Sequence, residues 1–163
     1  IVLLYTTIFP LVTVWWLKNK NIIESIEIKN RSERPLVFFI VTGFYLALSY
    51  FLFSKGGILT ALSFVMFIIS INVLILAIVS LKFKISAHML GIGGALGILG
   101  VLTHKFGENI QQNWLLLFIL LAGIIASSRL KLGAHSINQV ISGFLVGFGV
   151  SLIGTILLFI DYN

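Results

Sequence analysis

Long apolar runs alternate with short polar breaks along this chain, and the breaks set its expected architecture. Six apolar segments stand out, at roughly 1–17, 36–53, 57–81, 85–103, 113–128 and 138–160. Each approaches the ~20 residues that a helix needs to cross about 30 Å of hydrocarbon, where an α-helix satisfies its own backbone. The fifth is short and can extend through Leu132. The pattern predicts an all-α protein, a bundle of six transmembrane helices forming one transmembrane domain over 1–163. Trp15 and Trp16, just before Lys18 and Lys20, have the character of an interfacial aromatic belt closing the first span. Between Asn21 and Arg34, Ile22, Ile23 and Ile26 fit one face of a short interfacial helix, and a polar loop carrying some isoleucines fits equally well. The chain opens at Ile1, already inside an apolar run, so we expect its natural start to lie upstream; no basic leader or small-residue cleavage site suggests a signal peptide.

Small residues add a packing expectation. The fourth segment carries Gly93-x3-Gly97 followed by Gly100, with Gly91 and Gly94 nearby, and the sixth carries Gly143-x3-Gly147-x3-Ser151. Small residues at four-residue spacing let membrane helices approach until their backbones touch. The fourth and sixth helices are therefore expected to pack together, with His88 and His135 near the same mouth.

Six spans leave five connections, and alternate connections share a side. The stretches 18–35, 82–88 and 128–139 then face one leaflet, bringing Arg31, Arg34, Lys84, His88, Arg129 and His135 to the same edge. The other two connections, around Lys55-Gly56-Gly57 and from His104 to Asn113, hold little that does chemistry.

Composition narrows the class. The chain is 59% hydrophobic and 10% charged, with a mean hydropathy of +1.13, which a soluble domain of this size cannot cover. It has no cysteine, hence no disulfide and no thiolate. Its formal charge of +6 would suggest nucleic acid in a soluble protein. Here the cations sit at membrane edges, so the expected partners are membrane lipids and a lipid phosphate, not nucleic acid. The spans are almost free of charge, which disfavours a channel or transporter.

The shared edge has the ingredients of metal-independent phosphate ester hydrolysis: a nucleophile, an acid for the leaving oxygen, and donors for the phosphoryl oxygens. His135 can attack phosphorus while its other ring nitrogen is held, and His88 can protonate the leaving group. Arg34 and Arg129 offer planar donor forks. Ser86 and the amides after it open a helix, which favours an anion. Lys84 and Arg31 add charge at the rim. No cofactor and no metal is required. Each residue also has a plainer role: snorkelling anchors for the cations, an N-cap for Ser86, a core position for His88, and an S-x-x-Q capping box for Ser136 and Gln139. His104 reads as an ordinary loop residue. Their assembly at one edge beside helix starts favours the site.

These residues resemble the type 2 phosphatidic acid phosphatase superfamily, which shares its site with the vanadium haloperoxidases and is marked by K-x6-R-P, P-S-G-H and S-R-x5-H-x3-D. Arg34-Pro35 matches the end of the first motif, and Ser86-Ala87-His88 the second with Ala for Gly and Ile85 for Pro. Ser128-Arg129 with His135 matches the third without a gap. The resemblance implies a membrane lipid phosphatase acting through a phosphohistidine on His135, with His88 as general acid. It implies phosphate binding by Arg34, Arg129, Ser86 and the Ala87 amide. Two further positions depart: Glu27 stands where the family has lysine, although Arg31 can supply the charge, and Gln139 stands where it has the orienting aspartate. A neutral acceptor stabilises a developing imidazolium less than a carboxylate does, so a non-catalytic member that binds anionic lipid headgroups is the second expectation. Nine of the eleven Lys and Arg residues lie on the motif side. Setting aside Arg31, Arg34, Lys84 and Arg129 as phosphate ligands leaves Lys18, Lys20, Lys29, Lys82 and Lys131 against Lys55 and Lys105. The bias points to a cytoplasmic site. Many bacterial relatives resembling this chain act on the outer face of the inner membrane, which pulls the other way; the expectation is the bacterial inner membrane with the site on its cytoplasmic side.

Overall fold

The structure, a computed structural model, describes residues 1–28, 30–106 and 109–160. Lys29, counted above among the cations of the first connection, lies outside the described residues, as does part of the connection between His104 and Asn113. The described residues form helices and no strand: α1 (Phe9–Asn19), α2 (Arg34–Lys55), α3 (Ile58–Ser80), α4 (Ala87–Phe106), α5 (Asn109–Lys131) and α6 (Ile137–Ile160). Five of them, α2 to α6, are long and apolar enough to cross a membrane. The first apolar segment is helical too, but as a π-helical turn (Leu4–Ile8) followed by the 11 residues of α1. The fifth segment extends through Lys131, as its pattern allowed.

The chain divides into two compact units, Ile1–Lys84 and Ile85–Asn163. In the first, α2 and α3 form an antiparallel hairpin whose turn is Gly56-Gly57, both at positive φ (68° and 60°), where a side chain would be strained. Leu48, Leu52 and Met66 form its core. The Ser49 hydroxyl donates across to the Ser63 carbonyl at 2.9 Å, so a buried polar pair ties the two helices. Pro10 in the first turn of α1 has no N–H to give the Thr6 carbonyl; the Tyr45 hydroxyl donates to that oxygen instead, at 3.3 Å. The loss of that helical donor accounts for the π-turn before α1.

The segment after α1 takes the loop alternative rather than the interfacial helix. Residues 21–28 are turns and bends, with Asn21 and Ile28 at positive φ (55° and 47°). Ile23 is buried with Val14, Leu17 and Val37, whereas Ile22 and Ile26 are exposed. The isoleucines thus point apart, and Glu33 holds the loop by accepting the Glu24 N–H at 3.1 Å.

The second unit is organised around α4 and α6, which run parallel with α5 returning between their ends. A methyl group on Gly143 would lie 2.6 Å from the Ser86 carbonyl oxygen, and one on Gly97 2.6 Å from that of Phe148. Methyls on Gly93 and Gly147 would overlap the carbonyls of Phe144 and Leu90. The glycine-mediated pairing expected from the sequence is present. Gly91 and Gly100, by contrast, face open space. Helix α5 packs on the pair through Phe118, Leu121, Ala122, Ile125 and Ala126, around Met89, Ile92, Val140 and Phe144.

Gly147→Ala should therefore lower the midpoint of thermal unfolding in detergent, with a loss of about 1–3 kcal/mol from overpacking. Gly91→Ala, whose methyl meets nothing within 4 Å, should leave the midpoint unchanged or slightly raised. Equal midpoints for the two variants would mean that α4 and α6 do not meet through these glycines.

Candidate functional site

The second unit brings the second and third motifs to one end, where α4 begins, α5 stops and α6 begins. Local rules explain the spacing between Arg129 and His135. Helix α5 ends in a Schellman motif: Ala134 N–H donates to the Arg129 carbonyl at 3.2 Å and Gly133 N–H to that of Leu130 at 3.0 Å. Gly133 supplies the left-handed residue this ending needs, at φ 60°. The chain then passes His135 and enters α6 behind Ser136. The five residues between arginine and histidine are thus one helix ending and the approach to the next helix start.

Gln139, in the first turn of α6, holds His135. Its side-chain oxygen lies 3.0 Å from His135 Nδ1 and accepts the Ser136 N–H at 3.3 Å. The second bond settles the amide orientation, because a backbone N–H requires an oxygen as partner. With oxygen facing Nδ1, that nitrogen carries the proton and the neutral ring keeps its lone pair on Nε2. The capping-box role and the orienting role are therefore held by one oxygen at once. The His135 side chain is half-buried.

Ser86 is fully buried. Its N–H donates to the Gln139 carbonyl at 3.1 Å, and its hydroxyl accepts the Met89 N–H at 3.4 Å as the N-cap of α4. The Ala87 amide lies outside both bonds. His88 occupies the first turn of α4 and is exposed. Arg129 is half-buried in the last turn of α5, and its Nε is buried without a hydrogen-bond partner among the described residues. A buried guanidinium N–H of this kind calls for an acceptor. Along α5 runs a groove of about 490 Å³ with an apolar body of Ile119, Leu120 and Ile124 and an end at Ser128 and Lys131.

The first-motif residues lie in the other unit. Arg34 and Pro35 open α2 and are buried, with the Arg34 guanidinium 5.3 Å from the centre of the Phe38 ring. Arg31 is exposed and donates from Nη1 to the Lys82 carbonyl. Lys84 is half-buried and Glu27 exposed. Among the described residues, no three of His, Cys, Asp or Glu come together as metal ligands. Sequence reasoning missed the backbone link from Ser86 to Gln139, which pattern alone does not encode. It also missed the Schellman ending, which the Lys131-Leu132-Gly133 run signals.

Helices α2 to α6 have the length and composition of transmembrane helices, the mark of an integral membrane protein. No family model, curated protein or solved structure matches the chain.

Gly133→Ala should cost about 1 kcal/mol through strain at the left-handed position, and Gly133→Asn less, since asparagine tolerates that conformation. Thermal unfolding of the two variants checks this. Identical midpoints for alanine and wild type would reject the Schellman ending.

Proposed function

We propose that the protein is a membrane-embedded lipid phosphatase of the type 2 phosphatidic acid phosphatase kind. It hydrolyses a phosphate monoester or diphosphate on a lipid through a phosphohistidine, without a metal or other cofactor. The observation that carries the reading is the His135–Gln139 contact, which fixes the ring with its lone pair on the nitrogen that would attack phosphorus. Nε2 of His135 displaces the lipid alkoxide, or a lipid phosphate, from phosphorus, and His88 gives its proton to that leaving oxygen. Water then attacks the phosphohistidine, with His88 taking the water's proton, and phosphate leaves. Arg129 supplies donors for the phosphoryl oxygens, and its unmatched Nε supports that role. The Ala87 amide adds the pull of a helix start, with Ser86 shaping that start as its cap. Arg34 is assigned to phosphate by the sequence resemblance alone, and Arg31 and Lys84 to the rim of the site by their sequence positions alone. The groove on α5, apolar with a cationic end, suits an amphiphile and supports a lipid as substrate.

We read the stretch Leu4–Asn19 as a sixth crossing, the host as the bacterial inner membrane, and the site as facing the cytoplasm on the charge bias. A second reading, a non-catalytic binder of anionic headgroups, is favoured by Glu27 and Gln139 standing where the family has lysine and aspartate.

Phosphate release from phosphatidic acid, phosphatidylglycerol phosphate and an isoprenyl diphosphate, measured with the purified protein, separates the two. The phosphatase reading expects release from at least one of them, abolished by His135→Ala and inhibited by vanadate, which mimics the trigonal-bipyramidal transition state. Binding without release favours the second reading, and full activity in excess vanadate rejects a histidine nucleophile.

Gln139 gives a sharper test. A carboxylate would stabilise the imidazolium character of His135, whereas an amide only fixes the tautomer. Gln139→Asp should keep or raise turnover, and Gln139→Leu should lower it while losing about 1 kcal/mol of stability with the cap. Equal turnover in all three forms would leave Gln139 with the cap alone.

A further inference from the structure

We infer that Gly143 is a positioning residue, whose missing side chain lets the Ser86 peptide seat on the first turns of α6 and so sets His135 against the start of α4. The inference rests on the phosphatase reading for its kinetic consequence. Its structural basis is a chain of short contacts. The Ser86 N–H donates to the Gln139 carbonyl at 3.1 Å. One turn further along α6, a methyl on Gly143 would lie 2.6 Å from the Ser86 oxygen and 3.2 Å from its nitrogen. The neighbours that would have to give are backbone atoms of a fully buried residue, with the Met89 Cβ at 3.4 Å behind them. The same Gln139 whose carbonyl receives Ser86 holds His135 through its side chain at 3.0 Å. The seat on Gly143 is therefore linked, through one residue, to the ring that attacks phosphorus.

A methyl at this point forces the start of α4 away from α6 by a large fraction of an ångström. That displacement moves the helix carrying Ala87 and His88 relative to His135 and leaves the fold otherwise in place. Misplacement by about 1 Å is enough to lower a rate ~100-fold when reacting groups must meet in line. Gly97 supplies a matched comparison. Its methyl would be just as tightly placed, 2.6 Å from the Phe148 oxygen and 2.9 Å from the Leu152 nitrogen. It lies well down the same helix pair, away from the motif residues.

The experiment compares Gly143→Ala and Gly97→Ala in the full chain, purified and folded in detergent. Two quantities are read: exchange of the Ser86 amide hydrogen in the resting protein, and kcat and KM for a lipid phosphate that the wild type hydrolyses. Gly143→Ala should speed Ser86 exchange and lower kcat about 10- to 100-fold with little change in KM. Gly97→Ala should lower the unfolding midpoint, yet keep Ser86 protection and wild-type kcat in its folded fraction. Wild-type kcat in Gly143→Ala, or equal losses of kcat in both variants, would overturn the inference. Should the wild type release phosphate from none of the lipids, the phosphatase reading falls and exchange decides alone. Loss of Ser86 protection in Gly143→Ala only then supports the seat, and retained protection overturns it. If Gly143→Ala does not fold, replacing the Ile85–Ser86 peptide link by an ester removes the donor N–H without adding bulk. That form should show the same fall in kcat, and an unchanged kcat in it overturns the inference.

Discussion

Backbone-to-backbone contact between α4 and α6 is the constraint on which the second unit depends. In a bilayer there is little hydrophobic force to bring two apolar helices together, so close packing has to supply the attraction. Gly93, Gly97, Gly143 and Gly147 remove the side chains that would hold the helices apart. The same approach places the Ser86 N–H against the Gln139 carbonyl. One packing solution thereby fixes where two helices begin, and the second and third motifs are carried at those beginnings. The proposed chemistry would take its geometry from the absence of side chains further along the helices.

Gln139 shows how a neutral residue serves at a position where a carboxylate is expected. Its single oxygen receives both the Ser136 N–H and the His135 ring, so the helix cap and the ring orientation stand or fall together. An amide in this place selects the tautomer and holds the ring. It brings no negative charge to meet an imidazolium as the proton is shared. On the proposed phosphatase reading the arrangement suits slow turnover better than fast, and it avoids placing an anion close to the phosphate that Arg129 is proposed to bind.

Much of this was legible in the sequence, and the parts that were not have physical reasons. Apolar length marked α2 to α6, because a crossing helix must be apolar along its length and the polar breaks are abrupt. Four-residue glycine spacing marked the α4–α6 pairing, since few other residues allow such an approach. The S-R-x5-H spacing pointed to the third motif, and the Gly133 turn explains why that spacing brings His135 to the start of α6. The stretch from Asn21 to Ile28 stayed ambiguous because three isoleucines fit a helical face as well as a loop. Burial of Ile23 against Val14, Leu17 and Val37 is a tertiary event that periodicity does not register. The link from Ser86 to Gln139 was invisible for a related reason: it joins main-chain atoms, which every residue carries.

The central claim is that His135 becomes covalently phosphorylated during turnover. The most direct measurement is to mix the protein with a lipid phosphate labelled at phosphorus, quench during turnover, and locate the label on the chain. The account predicts protein-bound phosphate that is stable to alkali and labile to acid, found on the peptide containing His135 and lost in His135→Ala. Phosphate released at the same rate with no label on the protein, or with label persisting in His135→Ala, would contradict it.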